Sequence, residues 1–195
     1  MLVGILALQG DFTEHSRTIN LIDEDYILIK NSKQLKGIKA LILPGGESSS
    51  MNIIQKNEDL FTSIKSLIQS GIPTLGTCAG AILLADNIIN DERINLNLLN
   101  ITIERNAYGR QNESFEAYVG IEDMEKEKVC FIRAPKITNV GENVSIISKL
   151  NNDIVGVRQD NIVAYTFHPE LTPSPNYLTW LKNFIYIGAN DVRSL

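Results

Sequence analysis

Two runs in the first half of this 195-residue chain are wholly apolar, residues 2–8 and Ala40–Leu43, and each gives way to glycine and polar residues. A strand with one wet face alternates apolar and polar side chains. A short run without alternation is buried on both faces, as in a parallel sheet covered by helices. Further strands are expected at 26–30 and 72–75. Helical patterns stand between them. Asp11 caps one carrying Phe12, Ile19 and Ile22; another starts near serines 48 to 50; residues 59–69 form a third, ended by Gly71; a fourth covers about 79–85. This alternation predicts an α/β fold.

The second half is richer in strands, expected at 101–104, 116–121, 128–132, 144–148, 154–158 and 162–167. Asn151-Asn152-Asp153 and Asp160-Asn161 read as hairpin turns. Ser174-Pro175-Asn176 starts a last helix, whose apolar stripe is Tyr177, Leu178, Leu181, Phe184 and Ile185. No repeat, linker or composition break divides the chain, so residues 1–195 are read as one domain with a parallel or mixed sheet flanked by helices.

Composition removes several functions. With 44% hydrophobic and 21% charged residues the chain is not disordered. A net charge of −5 opposes binding to a phosphate backbone, so no nucleic-acid partner is expected. No apolar run reaches the roughly 18 residues of a membrane span. The first residues resemble a signal segment but lack a basic start and meet Asp11, which predicts a cytoplasmic protein. Two cysteines cannot staple a fold of this size and fit a reducing compartment. Neither HExxH nor CxxC is present, so no metal or cofactor is expected. The remaining chemistry is that of carboxylates, histidine and thiol.

Gly76-Thr77-Cys78-Ala79-Gly80 lies where a strand ends and a helix begins. Gly-x-Cys-x-Gly at such a junction is the nucleophile-elbow pattern, with sulfur as the attacking atom. The flanking glycines allow the close chain approach of a strained turn, and the helix start offers N–H groups to a developing anion. A small buried cysteine in a Gly/Ala packing contact would read similarly. Cys130, between Val129 and Phe131 in a strand, has no such context and is assigned to the core.

A thiol nucleophile needs a base, and the base an orienting partner. Phe167-His168-Pro169-Glu170 supplies both at a strand end. In extended chain, side chains two apart share a face, so Glu170 can take one ring nitrogen of His168 and leave the other for Cys78, ninety residues away in sequence. His15, beside Glu14, is assigned a surface or interface role.

Pro44-Gly45-Gly46-Glu47-Ser48 also follows a buried strand. A phosphate cradle is one reading, but no Gly-Lys-Ser/Thr follows and Glu47 would repel phosphate. An oxyanion loop facing the thiol, with Glu47 ready for a cationic group, fits better; a turn capped by Ser48 is the plainer reading. Arg105 and Arg133 stand near strand ends, where arginine forms structural ion pairs or receives a carboxylate.

Together these segments resemble class I, triad-type glutamine amidotransferases and, more narrowly, the glutaminase subunits of pyridoxal phosphate synthase. The likeness runs nearly end to end through GILALQG with Glu14-His15, LILPGGESSSM, GTCAGAILLA, LLNITIERNAYGRQNESFEA, FIRAP and FHPEL. It implies a flavodoxin-like sheet flanked by helices and hydrolysis of L-glutamine to L-glutamate and ammonia. The ammonia would pass to a synthase (lyase) subunit that builds pyridoxal phosphate, in vitamin B6 biosynthesis. It implies Cys78 as nucleophile, His168 as base and Glu170 as its partner. Gly46, Glu47, Ser48, Arg105, Ile132 and Arg133 match glutamine-binding positions, and the N–H groups of Gly46 and Ala79 match the oxyanion hole. Serines 49 and 50 stand where the family pattern has threonine, and both still cap a helix. The Gly45-Gly46 peptide can flip, so a weak isolated activity, raised when the partner docks near this loop and residues 11–20, is expected. From spacing alone the chain reads only as a thiol hydrolase. A free-standing hydrolase or peptidase and a module that senses glutamine without cleaving it are the alternatives, and the intact triad argues against the second.

Overall fold

A computed structural model describes the chain except for residues 9, 47–56, 92–94, 106–113, 123 and 192–195, with backbone alone at 188–191. The helix expected at serines 48 to 50 lies outside the described residues. The unalternating runs become strands β1 (Leu2–Leu6) and β3 (Ala40–Leu43). In β3, Leu41 and Leu43 join one apolar core while Ala40 and Ile42 join the other. Both faces of the sheet are therefore packed, and each buried Leu or Ile contributes about 1.5–3 kcal/mol.

The first core is closed by α2 (Glu58–Gln69) and α3 (Ala79–Leu84), through Leu60, Ile64, Ile68 and Leu83. The second is closed by α1 (Phe12–Leu21) and α4 (Pro175–Asp191), through Ile19, Tyr177, Leu181 and Phe184. Two of the expected helix boundaries hold. Gly71 follows α2 at φ 95°, a left-handed position that favours glycine. Ser174 Oγ accepts from the Tyr177 amide at 3.0 Å ahead of α4.

The remaining strands are β2 (Asp25–Ile29), β4 (Thr74–Thr77), β5 (Ala85–Ile88), β6 (Leu99–Glu104), β7 (Ser114–Gly120), β8 (Lys126–Ile132), β9 (Lys136–Val140), β10 (Ser145–Leu150), β11 (Asp153–Gln159) and β12 (Ile162–Tyr165). The main sheet runs β2-β1-β3-β4-β12-β11-β9-β6-β5, with β10 on β11. Pairing is parallel from β2 to β12. It turns antiparallel from β12 through β11 and β9 to β6. The sheet is thus mixed, and the two expected hairpins, β10–β11 at Asn151 and β11–β12 at Asp160, are among its antiparallel pairs. β5 and β9, polar and short, were not expected from sequence; their place is set by pairing. A separate ribbon, β7–β8, stands off the sheet. Phe131 of β8 stacks on Phe115 and packs against Phe167, which ties the ribbon to the chain leaving β12. Among the described residues no helix is long and apolar enough to cross a membrane.

Candidate active site

Cys78 follows β4 directly and caps α3 with φ 49° and ψ −103°. Such a conformation costs a non-glycine residue about 1–3 kcal/mol and survives only where its surroundings over-determine it. They do so here. The Cys78 amide donates to the Tyr165 carbonyl at 2.8 Å, locking the elbow to the end of β12. Gly80 lies on β3 so closely that a Cβ would stand 1.9 Å from the Leu43 carbonyl oxygen. A Cβ on Gly76 would stand 2.9 Å from the Gly80 carbonyl. Both glycines are therefore required by close approach, as expected from the pattern.

β12 ends at Tyr165, and three residues later the chain reaches His168, whose amide donates to the Cys130 carbonyl of β8 at 2.8 Å. Nδ1 of His168 lies 2.8 Å from Oε1 of Glu170. The expected pair is present, but not through extended chain. Pro169–Leu171 is a 3-10 turn with proline at its first position, and that turn swings the carboxylate back onto the ring. With Nδ1 occupied, the second ring nitrogen is left for the thiol. Burial works against a charged ring at His168, but the Glu170 carboxylate and hydrogen bonds with Cys78 and Glu170 outweigh it, so the imidazole is well above its usual basicity. Burial likewise opposes charge at Glu170, yet His15 and His168 beside it hold the carboxyl below the ordinary carboxylate range.

Two other side chains join this centre. Asp11 does not cap α1 with its side chain; its Oδ2 faces His168 Nδ1 at 3.4 Å instead. Burial raises the Asp11 carboxyl above its ordinary value. His15 is neither on the surface nor at an edge: it is 0% exposed, with Nε2 3.4 Å from Glu170 Oε1 and 3.0 Å from Thr77 Oγ1. The sequence signal was there in outline, since Asp11 and His15 follow β1 at one helical turn's spacing and Thr77 abuts the thiol, but only tertiary packing brings them to Glu170. Asp11, His168 and Glu170 offer donor atoms within 4.8 Å of one another, a spacing suited to a metal ion. The His168–Glu170 hydrogen bond already uses two of those donors, so a cation would have to break it.

The Gly-Gly loop lies over the imidazole. The Gly45 amide donates to Thr77 Oγ1 at 3.1 Å, and its carbonyl accepts from the Asp11 amide at 3.2 Å. Gly46 has φ 141°, a conformation side chains rarely adopt. Glu47 and Ser48 lie outside the described residues. Ala79 opens α3 and is buried. On the opposite side, the Ile132 carbonyl is 3.9 Å from Cys78 Sγ, and Arg133 follows at φ 45°. Arg105, after β6, gives Nη1 to Asp91 Oδ2 at 2.6 Å. Cys130 is only partly buried rather than in the core, because Val129 and Phe131 take the inward positions of β8. Burial and the Glu116 carboxylate raise its thiol pKa.

The model of the SNO glutamine amidotransferase family matches residues 5–185. The pyridoxal 5′-phosphate synthase subunit PdxT of Clostridium beijerinckii is 44% identical over 187 residues, covering 95% of this chain and 97% of the relative. The subunit of the same name from Thermotoga maritima is 45% identical over 174 residues, covering 88% and 93%. A crystal structure of a glutamine amidotransferase superposes with a TM-score of 0.88 at 37% identity, covering 95% of this chain and 99% of that one.

Proposed function

The chain belongs to the SNO glutamine amidotransferase family, and from that premise we propose that it is the glutaminase subunit of a pyridoxal 5′-phosphate synthase, working through Cys78, His168 and Glu170. The observation that carries the triad is the His168 ring itself, bound to Glu170 through Nδ1 and made more basic by its contacts with Glu170 and Cys78. His168 takes the Cys78 proton, and the sulfur attacks the side-chain amide carbon of L-glutamine. The resulting oxyanion is received by the backbone N–H groups of Gly46 and Ala79; losing one such donor costs about 2.7–4 kcal/mol. His168 then protonates the departing ammonia, and water hydrolyses the thioester by the same route, releasing L-glutamate.

Glutamine is held by Gly46, Glu47, Ser48, Arg105, Ile132 and Arg133, in which the two arginines supply forks for its carboxylate and Glu47 an anion for its ammonium. Ammonia passes to the synthase subunit, whose contact near the Gly45-Gly46 loop and α1 raises the rate. The reaction runs in the cytoplasm, in keeping with two free cysteines. Ammonia release from glutamine, measured with and without a synthase subunit, tests this reading. Release that depends on Cys78 and rises with the partner is expected. Equal rates with and without partner would remove the gate, and turnover of peptides or simple esters in preference to glutamine would favour a free-standing hydrolase.

A further inference from the structure

We propose that His15 is a positioning residue that ties the Glu170 carboxylate to the Gly45 loop through Thr77. The inference rests on the triad reading above and adds to it a second imidazole. His15 sits in the first turn of α1, fully buried, with Nε2 between two oxygens, Thr77 Oγ1 at 3.0 Å and Glu170 Oε1 at 3.4 Å. A carboxylate only accepts, so the proton belongs on Nε2. His15 Nδ1 has no hydrogen-bond partner among the described residues.

Thr77 Oγ1 has two lone pairs. One receives His15 Nε2–H and the other the Gly45 amide at 3.1 Å. The chain of contacts thus runs from the carboxylate that orients His168, through His15 and Thr77, to the loop that lies on His168. The loop is held again from the start of α1. The Asp11 amide donates to the Gly45 carbonyl, and Gly10 approaches so closely that a Cβ would stand 1.9 Å from that oxygen. One helix start therefore grips both the carboxylate and the loop, and a movement of either is felt by the other. Glu170 Oε1 is shared between the two imidazoles, and His15 helps to keep that carboxylate ionised.

The test compares wild type, His15→Leu, His15→Gln, Thr77→Val and the double variant His15→Leu/Thr77→Val. Two readouts are used: glutamine hydrolysis in the complex with the synthase subunit, and the rate of Cys78 alkylation by iodoacetamide in the isolated chain. His15→Leu is expected to lower kcat about tenfold to a hundredfold, the loss of one hydrogen bond to a charged group, with KM within about twofold. His15→Gln, whose amide nitrogen reaches the Nε2 position, should recover most of the rate. The double variant should fall no further than the weaker single variant, because both interrupt one path. Alkylation should slow in the same order. Wild-type kcat and alkylation in His15→Leu, a glutamine variant no better than leucine, or additive losses would overturn the proposal. If His15→Leu does not fold, Thr77→Val decides: wild-type alkylation there would overturn it equally. Wild type releasing no ammonia from glutamine would defeat the glutaminase reading alone, while the alkylation series would still judge His15.

Discussion

Gly45 and the ring of His168 are in such close contact that a Cβ on the glycine would stand 2.3 Å from Cε1 and 3.0 Å from Nδ1 of the imidazole. The glycine is needed for room beside this ring. Gly45→Ala should displace the ring from Glu170, destabilise the fold by about 1–3 kcal/mol and lower kcat at least about tenfold. Gly37→Ala is the contrasting case: φ is +85° but nothing lies near its Cβ position, so about 1 kcal/mol of stability and no activity should be lost. Urea midpoints and glutamine hydrolysis for the two variants provide the comparison.

Cys78→Ala should reduce ammonia release by about 10⁴-fold or more while leaving circular dichroism and the unfolding midpoint near those of wild type. The smaller side chain removes the sulfur proposed to attack and leaves the backbone hydrogen bond from the residue 78 amide to Tyr165 untouched. Residual hydrolysis at a tenth of the wild-type rate would exclude Cys78 as the attacking group.

Glu170→Gln should cost up to about 10⁴-fold in kcat, since an amide can turn its N–H toward Nδ1 and favour the wrong tautomer. It should also change the pH dependence of stability. The lowered carboxyl of Glu170 contributes fully above its ordinary value of 4.5, and the contribution is lost as pH falls from there toward the folded value. The raised imidazole of His168 contributes fully below 6.5 and is lost as pH rises from there toward its folded value. Wild type should therefore be most stable between these two values. The glutamine variant should lose the acid limb and most of the alkaline one, because Glu170 is the main cause of the His168 shift. Denaturant midpoints across pH 3 to 9 for both proteins measure this; superimposable curves would contradict it.

Cys130→Ser should leave kcat within about twofold, as its contact with His168 runs through the main-chain carbonyl and survives the substitution. The same variant identifies the thiol that iodoacetamide reaches first: loss of the fast phase in Cys130→Ser would contradict a higher pKa for this thiol than for an ordinary cysteine.

Much of the centre was legible in the sequence where one local pattern decides the outcome. The unalternating run Ala40–Leu43 is a strand with its predicted bounds, and the glycines around Cys78 meet backbone where the elbow pattern requires it. His168 and Glu170 do pair, although through a 3-10 turn that an extended reading missed, because Pro169 after a residue in the β region can also start such a turn. What stayed hidden depended on distant packing. Asp11 reads as an N-cap by residue type, but His168 offers its carboxylate a nearby ring. A histidine next to Glu14 on a helix reads as solvated until the sheet places Thr77 and Glu170 against it. Cys130 reads as core from its apolar neighbours, yet strand alternation turns it outward. β9 carries only two apolar residues among its five, Ile137 and Val140, and is a strand because β6 and β11 lie on either side.

The parallel pairing of β4 with β12 joins segments made far apart in time on the ribosome. A nascent chain that has emerged only through α3 holds the sulfur and its elbow, but neither the strand that locks that turn nor any imidazole from residue 168. Until residues 162–170 have been made and β12 has paired beside β4, the turn around Cys78 lacks both the Tyr165 carbonyl that holds its amide and the His168 ring that hydrogen-bonds its sulfur.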